Sequence, residues 1–107
     1  MTIGLSGAVL DANYNYQTPG SGNTITLNDT DWHVLVDPAG AILALTIVMN
    51  ADPFDGEIVE IIFSKTVTTL TMSPNSGQTL VNNPATATAG SAVRAIYRGS
   101  SAKWYFY

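Results

Sequence analysis

Two clusters of residues in this sequence could carry chemistry. In "DTDWH", Asp31 and His33 lie two positions apart, so on a strand they share a face. A carboxylate beside an imidazole can hold a metal or orient a general base. The chain has one histidine and no cysteine, so neither a second imidazole nor a thiolate can complete a ligand set or a nucleophilic pair. A surface histidine at the start of a strand is the plainer reading. In "NADPFDGE", Asp52, Asp55 and Glu57 supply the oxygen ligands that calcium takes, but the EF-hand spacing is not met. Asn-Ala-Asp-Pro followed by Asp-Gly is also how two turns are built. The same acids would serve glycoside hydrolysis only if the fold set two carboxylates at the required separation. No Gly-x-Gly-x-x-Gly, P-loop or nucleophile elbow occurs. The expectation is a protein without catalytic residues, cofactor or metal site, with a cation in the Asp52–Glu57 loop left open.

The elements around these clusters read as strands. "TITL", "WHVLV", "AILALTIVM", "EIVEIIF", "TVTTLTM", "QTLV", "AVRAIYR" and "KWYFY" are rich in β-branched or aromatic residues. Turn chemistry separates them: "NDTD", "DPAG", "NADPFDG", "SPNSG", "NNPATATAGS" and "GSSA". About eight short strands at intervals of roughly 8–12 residues, with no helical stripe, predict an all-β fold, an antiparallel β-sandwich or jelly roll. The echoes "TITLN", "LTIVMN" and "TLTMS" are too brief and irregular to read as a repeat architecture. Residues 1–22 differ from the rest. Ile3, Leu5, Val9, Leu10, Tyr14 and Tyr16 are scattered among Gly, Asn and "PGSG", which predicts an extended, apolar N-terminal arm that orders against a partner. The β-sandwich domain then spans 23–107.

With 107 residues the chain has the length of one domain. Charged residues make up 11%, less than half of the roughly 25% usual in soluble domains. So little charged surface points to an oligomer that hides part of its outside. The net charge of −4 and the absence of a basic run argue against nucleic acid. No apolar stretch reaches the roughly 20 residues of a membrane span, and the N-terminus lacks the pattern of a signal peptide, so the expectation is a soluble protein made without export. All eight carboxylates fall between Asp11 and Glu60, while Lys65, Arg94, Arg98 and Lys103 follow. Either small numbers segregate by chance, or one sheet is acidic and another basic.

From Asp31 onward, "DWHVLVDPAGAILALTIVMNADPFDGEIVEIIF" is followed by "VTTLTMSPNSGQTLVNNPATATAGSAVRAIYRGSSAKWYFY". This pattern resembles the small β-rich structural domains of tailed bacteriophages, found in head decoration proteins and at the ends of tail fibres. The strand before a Pro- or Asp-rich turn, "DGEIVEI", "TTLTMSPNSGQTL", the "AG" turn and the closing "KWYFY" carry the resemblance. It implies a virion structural protein without catalysis, a homotrimer that binds the major capsid protein. The short chain favours a decoration or cement protein on the outer capsid surface, assembled in the host cytoplasm, that spans capsomer junctions. The alternative is a tail-fibre or receptor-binding tip recognising host-surface glycan, with Trp32, Tyr97 and Trp104 stacking on sugar rings.

The last four residues are all aromatic. On a strand, Trp104 and Phe106 point one way and Tyr105 and Tyr107 the other. The first pair is expected in the core and the second at a subunit interface.

Overall fold

The computed structural model describes residues 14–107. Among these the fold is all-β, with nine strands: β1 Asn15–Gln17, β2 Asn23–Thr26, β3 His33–Val36, β4 Ile42–Val48, β5 Ile58–Phe63, β6 Val67–Ser73, β7 Thr79–Val81, β8 Ala92–Arg98 and β9 Lys103–Phe106. They form a six-stranded sheet in the order β1-β3-β5-β8-β9-β7 and a three-stranded sheet in the order β2-β4-β6.

The pairing differs from the antiparallel sandwich expected from strand spacing. From β1 to β7, strands that follow one another in sequence alternate between the two sheets, and β8 and β9 stay in the six-stranded one. Each then pairs in parallel with the strand two places on: β1 with β3, β3 with β5, β2 with β4, β4 with β6. The chain therefore winds in coils, a solenoid-like arrangement. Only β5–β8 and β8–β9 pair antiparallel. Short strands and tight turns look the same in sequence whether a turn reverses the chain within one sheet or carries it across to the other.

The coils stack because equivalent positions alternate alike. Ile25, Leu45 and Leu70 enter the core from the three-stranded sheet with Leu27, Ile47 and Met72. Val34, Val36, Val59, Ile61, Phe63, Ala95 and Tyr97 enter from the other. Trp104, fully buried, packs on Tyr97 with ring centres 5.0 Å apart. Phe106 is buried beside it. The rejected echoes are the stack itself. Thr24 pairs with Thr46 and Thr46 with Thr71, coils 22 and 25 residues apart, and Ile25, Ile47 and Met72 follow in register. Loops of different length conceal that period in the sequence.

The expected arm of residues 1–22 is divided by the fold. Asn15–Gln17 is a strand of the six-stranded sheet, so Tyr14 and Tyr16 belong to the folded body. Asp37 N–H, from the coil above, donates to Gln17 O at 2.7 Å. Ile3, Leu5, Val9 and Leu10 lie outside the described residues.

Candidate functional site

Alternation that buries one side of the six-stranded sheet turns the other side outward. There the register aligns Ile58, Ile96, Tyr105 and Val81 in one row across four strands. Tyr16, Leu35, Ile62 and Ala92 form a second row. Between them lies a polar row of His33, Glu60 and Arg94, in which Arg94 Nε donates to Glu60 Oε2 at 2.9 Å. The acidic and basic halves of the chain thus meet on one face, and no division into an acidic and a basic sheet results.

One border of the face is aromatic. Trp32 and Phe54 pack edge to face, ring centres 6.1 Å apart, and stay 46% and 56% exposed. With Ile58, His33 and Glu60 they line a hollow of about 290 Å³. A second hollow, about 440 Å³, lies over Ile96 and Tyr105 beside Asp55 and Arg98. A third, about 250 Å³, lies among Tyr14, Leu35 and Ile62. Seven of the nine exposed large apolar side chains among the described residues belong to this face or its border: Tyr14, Tyr16, Trp32, Phe54, Ile58, Ile62 and Ile96. Soluble monomers rarely gather such residues in one contiguous patch.

A buried polar network holds the loop that carries Phe54. Glu57 points into the core, where its carboxylate accepts from Phe54 N–H and from Asn50 Nδ2, each at 3.2 Å. Asn50 Oδ1 accepts from Asp52 N–H at 2.8 Å, and Asn50 O accepts from Gln78 Nε2 at 2.6 Å. Gln78 Oε1 in turn accepts from the Trp104 indole at 3.1 Å. Gly56 completes the turn at φ 84°, a left-handed conformation that strains any side chain. Asp55 Oδ1 accepts from Gly99 N–H at 2.8 Å and ties this loop to the β8–β9 turn.

At the opposite border, Asp37 joins three coils. Its carboxylate accepts from Ser64 Oγ at 2.5 Å and from the Tyr16 hydroxyl at 2.6 Å, with Lys65 Nζ 3.8 Å away. The Ser64 hydrogen bond, then the Tyr16 one, hold the Asp37 carboxyl below its ordinary range. The bond to Asp37 pushes the Tyr16 phenol up. This clamp fixes the Tyr16 ring against Tyr14, edge to face at 6.4 Å.

The residues singled out for chemistry are not brought together. Asp31 closes a turn by accepting from Asn28 N–H and Asn15 Nδ2, at 2.7 and 3.2 Å, while His33 is exposed at the start of β3. Asp55 and Glu57 are engaged in the loop, and among the described residues no three acidic or histidine groups are placed to hold a metal ion. Of the aromatics considered for sugar stacking, Tyr97 and Trp104 are buried and Trp32 is exposed. Tyr105 points outward, half-buried, in the apolar row of Ile58 and Ile96. Tyr107 lies just past β9, its N–H donating to Arg94 O at 2.9 Å, beside Pro84 and Val93. Sequence reasoning missed Phe54, Ile58, Ile62 and Ile96. The available signal was that "EIVEIIF" and "AVRAIYR" place apolar residues at both alternating sets of positions, which one buried face does not require.

Comparison of the chain with protein-family models, with curated proteins and with solved structures finds no match.

Proposed function

We propose that this protein is a non-catalytic structural component that works as a homo-oligomer, in the specific form of a capsid decoration protein of the tailed-bacteriophage kind. The observation that carries the reading is the outer face of the six-stranded sheet, with its two apolar rows and aromatic border. Six strands at about 4.8 Å, averaging between four and five residues at about 3.3 Å, give a face on the order of 400 Å² before side-chain relief is counted. That is about half of the roughly 800 Å² per partner of a stable interface, with the aromatic border and side-chain relief adding to it. The two apolar rows flank the Glu60–Arg94 pair, so one face offers both apolar contact area and a polar pair able to fix register. The resemblance of residues 31–107 to phage structural domains supplies the setting, and the low charged fraction agrees with an outside that is partly covered.

In that setting the mechanism is mechanical. A pressurised shell fails where capsomers meet. An oligomer that bridges a junction and binds several shell subunits opposes their separation, and each added contact multiplies the avidity. The test has two parts. Size-exclusion chromatography with light scattering should give a discrete oligomer, a trimer being expected. The purified oligomer should then bind its cognate mature shell at fixed stoichiometry. A monomer that ignores every maturation state of that shell sinks the proposal.

One observation favours a second reading, a receptor-binding tip. The hollow between Trp32 and Phe54 has two exposed aromatic rings beside His33 and Glu60, groups able to bond sugar hydroxyls. Binding on a glycan array without shell affinity would decide for it.

A further inference from the structure

The two edges of the three-stranded sheet are finished differently. At β6, the loop between β7 and β8 lies along the free edge. Val67 N–H donates to Ala87 O at 2.9 Å, Ala87 N–H returns a bond to Val67 O at 3.0 Å, and Leu70 N–H donates to Ala85 O at 2.9 Å. At the other edge β2 pairs with β4 on one side, and among the described residues no strand pairs with its second side. An unpaired edge carries a row of backbone N–H and C=O groups that templates a further strand, and stacked coils need a cap there.

We propose that the free edge of β2 is the docking site of the chain's own residues Thr2–Leu5, which pair with it in parallel. The register supplies the argument. Thr24-Ile25-Thr26 pairs with Thr46-Ile47-Val48, and that segment with Thr71-Met72-Ser73, at offsets of 22 and 25 residues. A further step of 22 back from "TITL" at 24–27 lands on "TIGL" at 2–5. The apolar positions agree. Ile3 falls opposite Ile25 and Leu5 opposite Leu27, both of which are buried. Thr2 and Gly4 fall opposite Thr24 and Thr26, which are exposed. The connecting length agrees as well. Crossing to the stacked position of the other sheet takes 9 residues from Ile25 to Val34 and 14 from Ile47 to Ile61. From Ile3 to Asn15, which pairs with Val34, it takes 12. A strand from another chain could meet the same edge, but a tethered segment in the right register meets it at a far higher effective concentration. Ile3 and Leu5 then extend the chain's own core, so the inference does not rest on the assembly proposed above.

The experiment is disulfide trapping in the full chain, which has no cysteine of its own. Thr2→Cys with Thr24→Cys puts two thiols at partner positions about 4.8 Å apart, within the span a disulfide bridges. Thr2→Cys with Asn28→Cys, also at an exposed position, sets the second thiol about 13 Å further along the strand and is the control. Under mild oxidation the first pair should close within one chain at least about tenfold faster than the control, the gain in effective concentration expected of a docked segment. Ile3→Asp added to the first pair should remove that advantage, and Gly4→Thr should keep it. If the first pair disturbs the fold, Gly4→Cys with Thr26→Cys, the next outward pair, decides. Equal rates for matched pair and control overturn the proposal, as does an advantage that Ile3→Asp leaves unchanged. A disulfide that joins two chains, seen as a doubled mass, overturns it too and gives the edge to a second copy.

Discussion

The two sheets bury the same kinds of residue and expose opposite ones. Outward from the six-stranded sheet stand Ile58, Ile96, Ile62 and Tyr16, bordered by Trp32 and Phe54 and crossed by the Glu60–Arg94 pair. Outward from the three-stranded sheet stand Thr24, Thr26, Thr46, Thr69 and Thr71, with Ala44, Val48 and Ser73 in the same rows and Leu43 exposed beside them, and with no charge and no aromatic ring. A strand needs alternation to fold, and alternation dictates only the inward half of its residues. The outward half is free for other purposes. Large, irregular apolar groups with three hollows suit a partner that interdigitates. The smaller groups of the other sheet, Thr24, Thr46 and Thr71 in one row and Thr26, Val48 and Ser73 in the next, offer no such relief.

The largest effect should come from damage behind both faces. Trp104 is fully buried against Tyr97 and donates to Gln78, which also holds the Asn50 loop. Trp104→Ala should cost about 3–5 kcal/mol, read as a shift of the chemical denaturation midpoint common to both sheets. If only one sheet were affected, the two would not share a core in the way the packing describes.

A smaller and more selective effect is expected from Ile96→Asp. Ile96 lies between Ile58 and Tyr105 in one of the two apolar rows and is part exposed in the single chain. A carboxylate there should leave the fold intact. It should cost the proposed oligomer about 2 kcal/mol or more, the scale of an interface hot spot. Light scattering should then report the monomer mass at concentrations where wild type is assembled. Unchanged mass would move the interface elsewhere. Thr46→Val, on the other sheet, should shift stability by no more than about 0.5 kcal/mol and leave the mass unchanged. A larger loss would make the threonine column a packing feature.

Particular residues show how far this comparison was readable in advance. Trp104 and Phe106 read as inward because alternation and apolar bulk agree, and both are buried. Tyr105 read as outward for the same reason. The antiparallel pairing was misread because turn chemistry marks where a strand ends and not which strand it joins. "TITLN" and "LTIVMN" were visible as echoes, but the coils differ in length and the echo is three or four residues long. Only the register shows Thr24, Thr46 and Thr71 as neighbours. Tyr14 and Tyr16 were separated from the domain because a three-residue strand, Asn15–Gln17, between Gly- and Asn-rich stretches has too little alternation to announce itself. The apolar face stays hidden because "EIVEIIF" reads as a strand whichever side is buried, and only the fold shows that Val59 and Ile61 fill the core while Ile58 and Ile62 face outward.

The smallest effect concerns the clamp that fixes one border of the apolar face, and its sign differs at the two ends of the pH scale. Asp37 is held below its ordinary 3.8, first by Ser64 and then by Tyr16. Its contribution is complete above the unfolded value and is lost as pH falls through the lower folded one. Tyr16 is held above its ordinary 10.0 by the same bond, so its contribution is complete below pH 10.0 and is lost as pH rises through the folded value. Denaturation midpoints measured across pH should therefore decline at both extremes. Asp37→Asn should flatten both limbs, because the carboxylate causes both shifts. Tyr16→Phe should flatten the alkaline limb and leave most of the acid limb, since Ser64 is the larger cause at Asp37. An Asp37→Asn protein that follows the wild-type curve at both ends would mean the clamp does not hold in solution. The border at Tyr14 and Tyr16 would then not be fixed by this hydrogen bond.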